Sequence, residues 1–270
     1  MKLKRLNAYT KSFLKWKEQT QDTFEFSVLV CNAVPTLKRT LSLHDKGIVT
    51  SLVKPDHYGA AESPDNKQQE RVKKQLREKS VGYKTKLSKY ILISNFSFFE
   101  SYVSNVIEEL IEFHGGKDAF VTKANNRTRQ QIMRDDNGIQ SARRKLRLGD
   151  KPTDYQRYRE ASKKLKSIGY RFPTDLFTGY GIKMLLSKLA NMSANDIPAI
   201  LVDGFHLDLD DSEILEFHNV RDARNKVAHG ESVEFSIGQV TKMSKQLRSI
   251  ALKLDQHLLR YYFITEDYIN

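Results

Sequence analysis

The chain has 270 residues, of which 39% are hydrophobic, and 45 Lys and Arg against 33 Asp and Glu give a formal net charge of +12. No apolar run approaches the ~18 residues of a bilayer span, which excludes a membrane-spanning protein. The basic N-terminal stretch shows no apolar core or cleavage site of signal-peptide type, so we expect a cytoplasmic protein. One cysteine, Cys31, excludes an internal disulfide and a multi-thiolate metal site within one chain. The positive charge favours a polyanionic partner, either nucleic acid or an anionic membrane surface.

The N-terminal part of the chain has helical spacing of its aromatic and aliphatic residues. This spacing predicts a helix over roughly residues 3–34, in one or two pieces, that stops at Pro35. From Val53 to about Gln69, two prolines, a glycine and few large apolar residues predict a loop or linker. We therefore expect an N-terminal helical extension and linker at residues 1–70, followed by a helical domain at residues 71–270.

The clearest helix is predicted from about Lys73 through Phe113. Its apolar residues recur in steps of three and four over more than five turns, which predicts one broad stripe that needs a partner helix. The stripe consists of Leu92, Phe96, Phe99, Val103, Val106, Leu110 and Phe113. Gly115 and Gly116 follow and are predicted to end the helix.

A basic insertion follows at residues 121–170, which hold 14 Lys and Arg against five Asp and Glu. Tyrosines lie between the arginines, as is typical of a surface that binds a nucleic-acid backbone and stacks on bases. The alternative is a set of solvated helix faces. The predicted nucleic-acid-binding residues are Arg143, Arg144, Lys145, Arg147, Arg157 and Arg159.

Two further helices are predicted near the C-terminus. A loop at residues 201–211 leads to an N-cap at Asp211 or Ser212 and a helix to about residue 228, and a final helix follows an N-cap at Ser236. The final helix has a stripe consisting of Val240, Met243, Leu247, Ile250, Leu254 and Leu258. Because no segments alternate as the strands of a sheet would, we predict an all-α helical bundle with a long central amphipathic helix.

The stretch VRDARNKVAHG places several polar side chains at the end of an amphipathic helix. Arg221, Asn225 and His229 are spaced to share one helix face, Arg224 flanks that face, and Gly230 is predicted to close the helix. A histidine in the final turn lies at the negative end of the helix dipole, which favours a positive charge.

These side-chain types suit the cleavage of RNA by its own ribose 2′-hydroxyl. Histidine can take or give the proton, and an arginine can hold the phosphate and neutralise charge that develops on it. Asn225 would position His229 or bond a phosphate oxygen, and the chemistry needs no metal. The alternative is that His229 and Arg224 cap the helix and stabilise its dipole by ~0.3–1 kcal/mol each, which spacing alone favours.

Two stretches resemble a known superfamily. RNKVAHG resembles the R-x(4–6)-H signature of HEPN proteins, and NFSFFESYVSNVIEEL resembles the long helix that precedes the motif helix in the RiboL-PSP-HEPN branch. The resemblance extends over about residues 83–263. It implies an all-α, usually dimeric protein and often a metal-independent endoribonuclease whose site combines Arg and His from both protomers. Such proteins act as toxins of toxin–antitoxin pairs and in antiviral defence, including abortive infection.

By matching position, the resemblance implies that Arg224 and His229 are catalytic and that Asn225 supports them. Arg221, outside the family pattern, is a further candidate phosphate contact or a plain surface residue, and Glu100 either orients the Arg and His or is simply solvated. No metal or cofactor is expected. The expected partners are RNA, either tRNA or mRNA, a second copy of the chain, and an antitoxin or other defence subunit, without a membrane. The alternative function is a non-catalytic helical RNA- or partner-binding module of a defence complex.

Overall fold

The computed structural model describes residues 9–49, 66–120, 122 and 191–263, and the fold is all-α, with no strand among these residues. The helices are α1 (Lys11–Asp45), α2 (Asn66–Ser80), α3 (Tyr83–Phe113), α4 (Ile197–Ala199, continued by a π-helix at Ile200–Gly204), α5 (Asp211–Ala228) and α6 (Ile237–Tyr261). No helix in the described ranges is long and apolar enough to cross a bilayer. The basic insertion lies outside the described residues, apart from the helical residue 122.

The chain divides into two compact units. The first unit consists of Met1–Glu18, Phe96–Ala223 and Lys245–Asn270. The second unit consists of Gln19–Asn95 and Arg224–Ser244. Each of the helices α1, α3, α5 and α6 contributes residues to both units.

The apolar stripe of α3 forms the centre of the first unit. Phe96, Phe99, Val103, Val106 and Leu110 are fully buried, which confirms the predicted stripe except at its last residue, Phe113, which is exposed. Aromatic contacts attach α5 to this surface: the ring centroid of Phe217 lies 5.8 Å from that of Phe96 and 6.1 Å from that of Phe99. Tyr102 donates a hydrogen bond of 3.2 Å to the carbonyl of Ala251, which attaches α6.

Two carboxylates hold the first turn of α1 in the same unit. Glu109 of α3 accepts hydrogen bonds from the backbone N–H groups of Lys11 and Ser12, at 2.9 and 2.8 Å. Asp255 of α6 accepts from both the N–H and the hydroxyl of Thr10, at 3.1 and 2.6 Å. These bonds satisfy N–H groups that a helix start leaves unpaired, and Glu109 adds a favourable interaction with the helix dipole.

Burial of this contact affects two ionisable groups. Desolvation raises the pKa of Asp255, with the charge of Glu109 adding to the effect and the hydrogen bonds from Thr10 opposing it. Desolvation also raises the pKa of Tyr102, and the charges of Asp255 and Glu109 raise it further. One carboxylate oxygen of Asp255, Oδ2, is buried and has no hydrogen-bond partner among the described residues, which is unfavourable for the ionised form.

The second unit is held by polar contacts around a smaller core. Asp45 at the end of α1 pairs with Lys73 of α2 at 3.0 Å and also with Arg77. The amide of Asn95 on α3 donates to the hydroxyl of Ser244 on α6 at 2.7 Å. Leu41, Leu87 and Leu92 are buried.

Helix α1 does not stop at Pro35, contrary to the prediction, but continues to Asp45. Proline removes one backbone N–H and clashes with the preceding turn, at a cost of ~3 kcal/mol in a helix interior. Contacts further along the helix, the buried Leu41 and the ion pairs of Asp45, offset that cost. Local sequence shows the proline but not these distant contacts.

Two other predictions about element boundaries were wrong. The helix predicted from Lys73 to Phe113 is two helices, since Gly82 adopts a φ of 66° and breaks it after Ser80. The loop predicted at residues 201–211 begins instead with the π-helix, in which Leu201 and Asp203 are buried. The predicted end of α3 is confirmed, because Gly115 and Gly116 both have positive φ and their N–H groups bond the last carbonyls of the helix.

A tight group of hydrogen bonds fixes the end of α6 in the first unit. The carbonyl of Phe205 accepts bonds from the Nε2 of His257 and the hydroxyl of Tyr262, both at 2.7 Å. The Nε2 of His114 donates to the carbonyl of Tyr262 at 2.8 Å. These histidines therefore have structural partners in the fold.

We expect Asp255→Asn to be at least as stable as the wild type at neutral pH. A group whose pKa is raised on folding stabilises the fold below its unfolded value, near pH ~4, and loses that contribution as pH rises through the folded value. Asparagine resembles the protonated acid and keeps the acceptor for Thr10. Chemical denaturation between pH ~4 and ~8 should show the wild type losing stability relative to the variant as pH rises. A constant difference across this range would contradict the assignment.

Candidate active site at the end of helix α5

Helix α5 begins with a capping box one residue earlier than predicted. Asp210, rather than Asp211 or Ser212, accepts from the N–H of Glu213 at 2.8 Å, and the Glu213 carboxylate accepts from the N–H of Asp210 at 3.1 Å. The hydroxyl of Ser212 also donates to Asp210, and this bond is the main cause of the lowered pKa of Asp210. The box defines the first turn of the helix.

The other end of α5 closes as predicted at Gly230. Its φ of 75° is left-handed, its N–H bonds the carbonyl of Val227 at 3.0 Å, and the N–H of Glu231 bonds the carbonyl of Lys226 at 2.9 Å. This is the hydrogen-bond pattern of a Schellman motif, which places His229 at the C-cap. The N–H of His229 still bonds the carbonyl of Asn225, at 2.9 Å.

Arg224 and Asn225 are joined by their side chains. The Nη1 of Arg224 donates to the Oδ1 of Asn225 at 3.0 Å, and both residues are half-buried. His229, one turn later, is exposed to solvent. The second unit thus contains a guanidinium fixed by a neutral amide and an accessible imidazole at a capped helix end.

Packing determines which side of α5 is left for these polar groups. Phe217, Val220 and Ala223 are buried in the first unit and form the packing face there. Val227, one turn after Ala223, is only half-buried in the second unit. The apolar residues of α5 therefore become less buried in the turn where the polar residues begin.

Arg221 has partners within the chain. Its Nε and Nη2 donate to Asp222 at 3.0 and 2.8 Å, and its Nη1 donates to the side-chain oxygen of Asn195 at 2.8 Å. A phosphate contact by Arg221 would have to share or replace these bonds. The arrangement links α5 to the turn that precedes α4.

Asn195 lies in the turn just before α4. Its contact with Arg221 spans residues that are far apart in the chain, so helical periodicity holds no signal for it. The turn itself has a local sequence signal, because Asp and Ser favour turns. In the structure, Asp196 accepts hydrogen bonds from the N–H and the hydroxyl of Ser193, at 3.0 and 2.8 Å.

Of the other predicted site residues, the structure describes Glu100 but not the six predicted to bind nucleic acid. Glu100 is half-buried on α3 and belongs to the first unit, whereas Arg224, Asn225 and His229 belong to the second. Its role as an orienting residue stays a prediction. The predicted nucleic-acid-binding residues Arg143, Arg144, Lys145, Arg147, Arg157 and Arg159 all lie outside the described residues.

Metal-ligating side chains do not converge in the described part of the chain. Within those ranges, no group of three or more His, Cys, Asp or Glu side chains is placed to hold a metal ion. The groups at the end of α5 are instead donors and a single imidazole, which suit binding of an anion and transfer of a proton.

Comparison with known proteins agrees with this architecture. The family model of RiboL-PSP-HEPN matches residues 65–260, well over half of the chain. The chain therefore belongs to the RiboL-PSP-HEPN family, within the HEPN superfamily. HEPN domains often bind RNA and dimerise, and they are often ribonucleases. No curated protein and no solved structure gave a match to the chain.

We expect Gly230→Ala to lower the free energy of unfolding by about 1–2 kcal/mol, because a side chain strains the left-handed backbone. No atom lies within 4 Å of an added Cβ, so the cost is conformational. Gly238→Ala is the matched control: this glycine is inside α6 without a positive φ, and its added Cβ would meet only the hydroxyl of Ser236 at 3.9 Å. Denaturant unfolding should show no loss for Gly238→Ala. Equal effects of the two variants would contradict the cap.

Proposed function

We propose that the protein is a metal-independent endoribonuclease that cuts RNA with a composite Arg and His site at a dimer interface. The observation that carries the proposal is the end of α5, where Arg224 is held by Asn225 and His229 is exposed one turn later. Family membership supports it, since HEPN domains are often ribonucleases.

His229 would transfer protons in the reaction. The ribose 2′-hydroxyl loses its proton and its oxygen attacks the adjacent phosphorus, the bond to the 5′-oxygen breaks, and that oxygen gains a proton. The products are a 2′,3′-cyclic phosphate and a 5′-hydroxyl. An imidazole is suited to either proton transfer near neutral pH, and its exposure allows the RNA to reach it.

Arg224 would bind the reacting phosphate and stabilise the charge of the phosphorane. A guanidinium offers paired donors to phosphate oxygens, and such interactions strengthen as charge develops. The Oδ1 of Asn225 accepts a hydrogen bond of 3.0 Å from the Nη1 of Arg224 and so helps to fix the guanidinium. We therefore assign Asn225 as the positioning residue for Arg224.

A dimer would bring two copies of this helix end together. A two-fold axis repeats each residue, so one cleft receives Arg224 and His229 from both chains. RNA would reach this cleft along the basic insertion, with unstacked single-stranded regions such as tRNA loops as the favoured substrates. Such an enzyme fits the role of a toxin or an effector of antiviral defence.

Cleavage of total tRNA and of single-stranded mRNA by purified protein tests the proposal. We expect wild-type protein to leave 2′,3′-cyclic phosphate ends, and Arg224→Ala or His229→Ala to lower the rate by about 10²–10⁴-fold. Asn225→Ala should lower it less, by about tenfold, since the guanidinium remains. Lys226→Gln, exposed on the same turn and outside the motif, is the matched control and should retain activity.

Two results would contradict the proposal. Intact RNA with every protein, together with RNA binding that Arg224→Ala weakens, would favour a non-catalytic RNA-binding module. The composite site has its own test, in which an excess of His229→Ala protein is mixed with wild type. Formation of mixed dimers should depress wild-type activity, whereas unchanged activity would show that each chain works alone.

A further inference from the structure

In one stretch of α1, large apolar side chains are exposed to solvent while a small polar side chain is buried. Ser27 is 7% exposed, and its hydroxyl donates to the carbonyl of Thr23 in the same helix at 2.7 Å. Around it, Phe24 and Phe26 are each 59% exposed, Val28 is 44% exposed and Leu29 is 66% exposed. Burying a small hydroxyl while large apolar groups face solvent runs against the hydrophobic effect.

These four residues, Phe24, Phe26, Val28 and Leu29, form the α1 apolar cluster. Ten large hydrophobic residues are exposed in the described part of the chain, and four of them fall in this span of six residues. Single exposed apolar residues are ordinary, but a concentrated group typically marks an interaction surface. Within the described residues these four side chains are exposed, whereas Ser27 among them is buried.

Carboxylates lie among the apolar side chains. Helical geometry pairs residues four apart, so Asp22 neighbours Phe26, Glu25 neighbours Leu29, and Phe24 neighbours Val28. Asp22 and Glu25 are both exposed, and Glu25 accepts a hydrogen bond of 2.8 Å from the side-chain amide of Gln21. A molecule that covers the cluster must therefore also meet negative charge.

The local charge contrasts with that of the whole chain. The protein has 45 Lys and Arg and a net charge of +12, yet none of these bases lies between Glu18 and Leu37. A negative surface repels RNA and anionic membranes. A second copy of the same face would oppose carboxylate to carboxylate and bring no base from this stretch to pair with them.

We propose that the α1 apolar cluster is the docking site of a partner protein that presents a helix with apolar residues flanked by lysine or arginine. Apolar side chains of the partner cover Phe24, Phe26, Val28 and Leu29, and its bases pair with Asp22 and Glu25. This surface is distinct from the end of α5, so a partner can be bound there whether or not the protein cuts RNA.

Binding of a synthetic amphipathic helix with a leucine face flanked by lysines tests the site. Fluorescence anisotropy with the full chain should show binding, and Phe24→Ser with Phe26→Ser should weaken it by at least about tenfold. Leu215→Ser with Tyr90→Ser is the matched control, because both are exposed apolar residues outside the cluster, and it should bind as wild type does. Asp22→Asn with Glu25→Gln should reduce the dependence of binding on salt.

Other outcomes would overturn the proposal. Equal binding of a scrambled peptide of the same composition, which has no apolar face, would show attraction by charge alone. Unchanged binding after the Phe24 and Phe26 substitutions would place the site elsewhere. Sedimentation equilibrium tests whether a second copy of the chain occupies the cluster. If these substitutions dissociate a wild-type oligomer, the cluster binds a second copy rather than a partner protein. Loss of RNA binding in the same variants would make it an RNA surface.

Discussion

Burial of one side of α3 is the constraint on which the first unit depends. Five residues of its stripe are fully buried, and α5 and α6 are attached to it through Phe217 and through the bond from Tyr102 to Ala251. The same burial fixes the rotation of α5, since Phe217, Val220 and Ala223 must face inward. In the turn that follows, Arg224 and Asn225 are half-buried and His229 is exposed.

Carboxylates contribute to the fold in a different way. Glu109 and Asp255 receive the first N–H groups of α1, which ties the N-terminal helix to two helices that are distant in the chain. Burial of Asp255 raises the pKa of the acid and leaves one of its oxygens without a hydrogen bond from the described residues. The attachment of α1 is therefore specific in geometry and sensitive to pH.

Signals that act within one or two turns could be read from the sequence. The stripe of α3, the glycine ends at Gly115 and Gly230, and the N-cap at Ser236, whose hydroxyl accepts from the N–H of Gln239 at 3.2 Å, were all predicted and confirmed. The continuation of α1 through Pro35 was not, because distant contacts maintain it. Gly82 is a local signal for a break after Ser80, but the long apolar stripe that follows it led to the prediction of one continuous helix.

The motif predicted which residues form the candidate site, but it did not predict which of their side chains contact each other. The motif led to Arg224, Asn225 and His229, but it suggested that Asn225 serves His229 or a phosphate, whereas its side chain holds Arg224. Neighbouring residues point to different sides of a helix, so periodicity gives no reason to pair them. The partners of Arg221 were likewise hidden, because Asn195 reaches it across a long separation in sequence.

Controlled expression of wild-type and His229→Ala protein in cells, followed by sequencing of RNA 5′ and 3′ ends, is the direct test of cleavage at the end of α5. We expect wild type alone to slow growth and new ends to appear at defined positions in single-stranded regions, with a 2′,3′-cyclic phosphate on each new 3′ end and a hydroxyl on each new 5′ end. Growth arrest by both forms without new RNA ends would contradict a nuclease and leave the end of α5 as a binding surface.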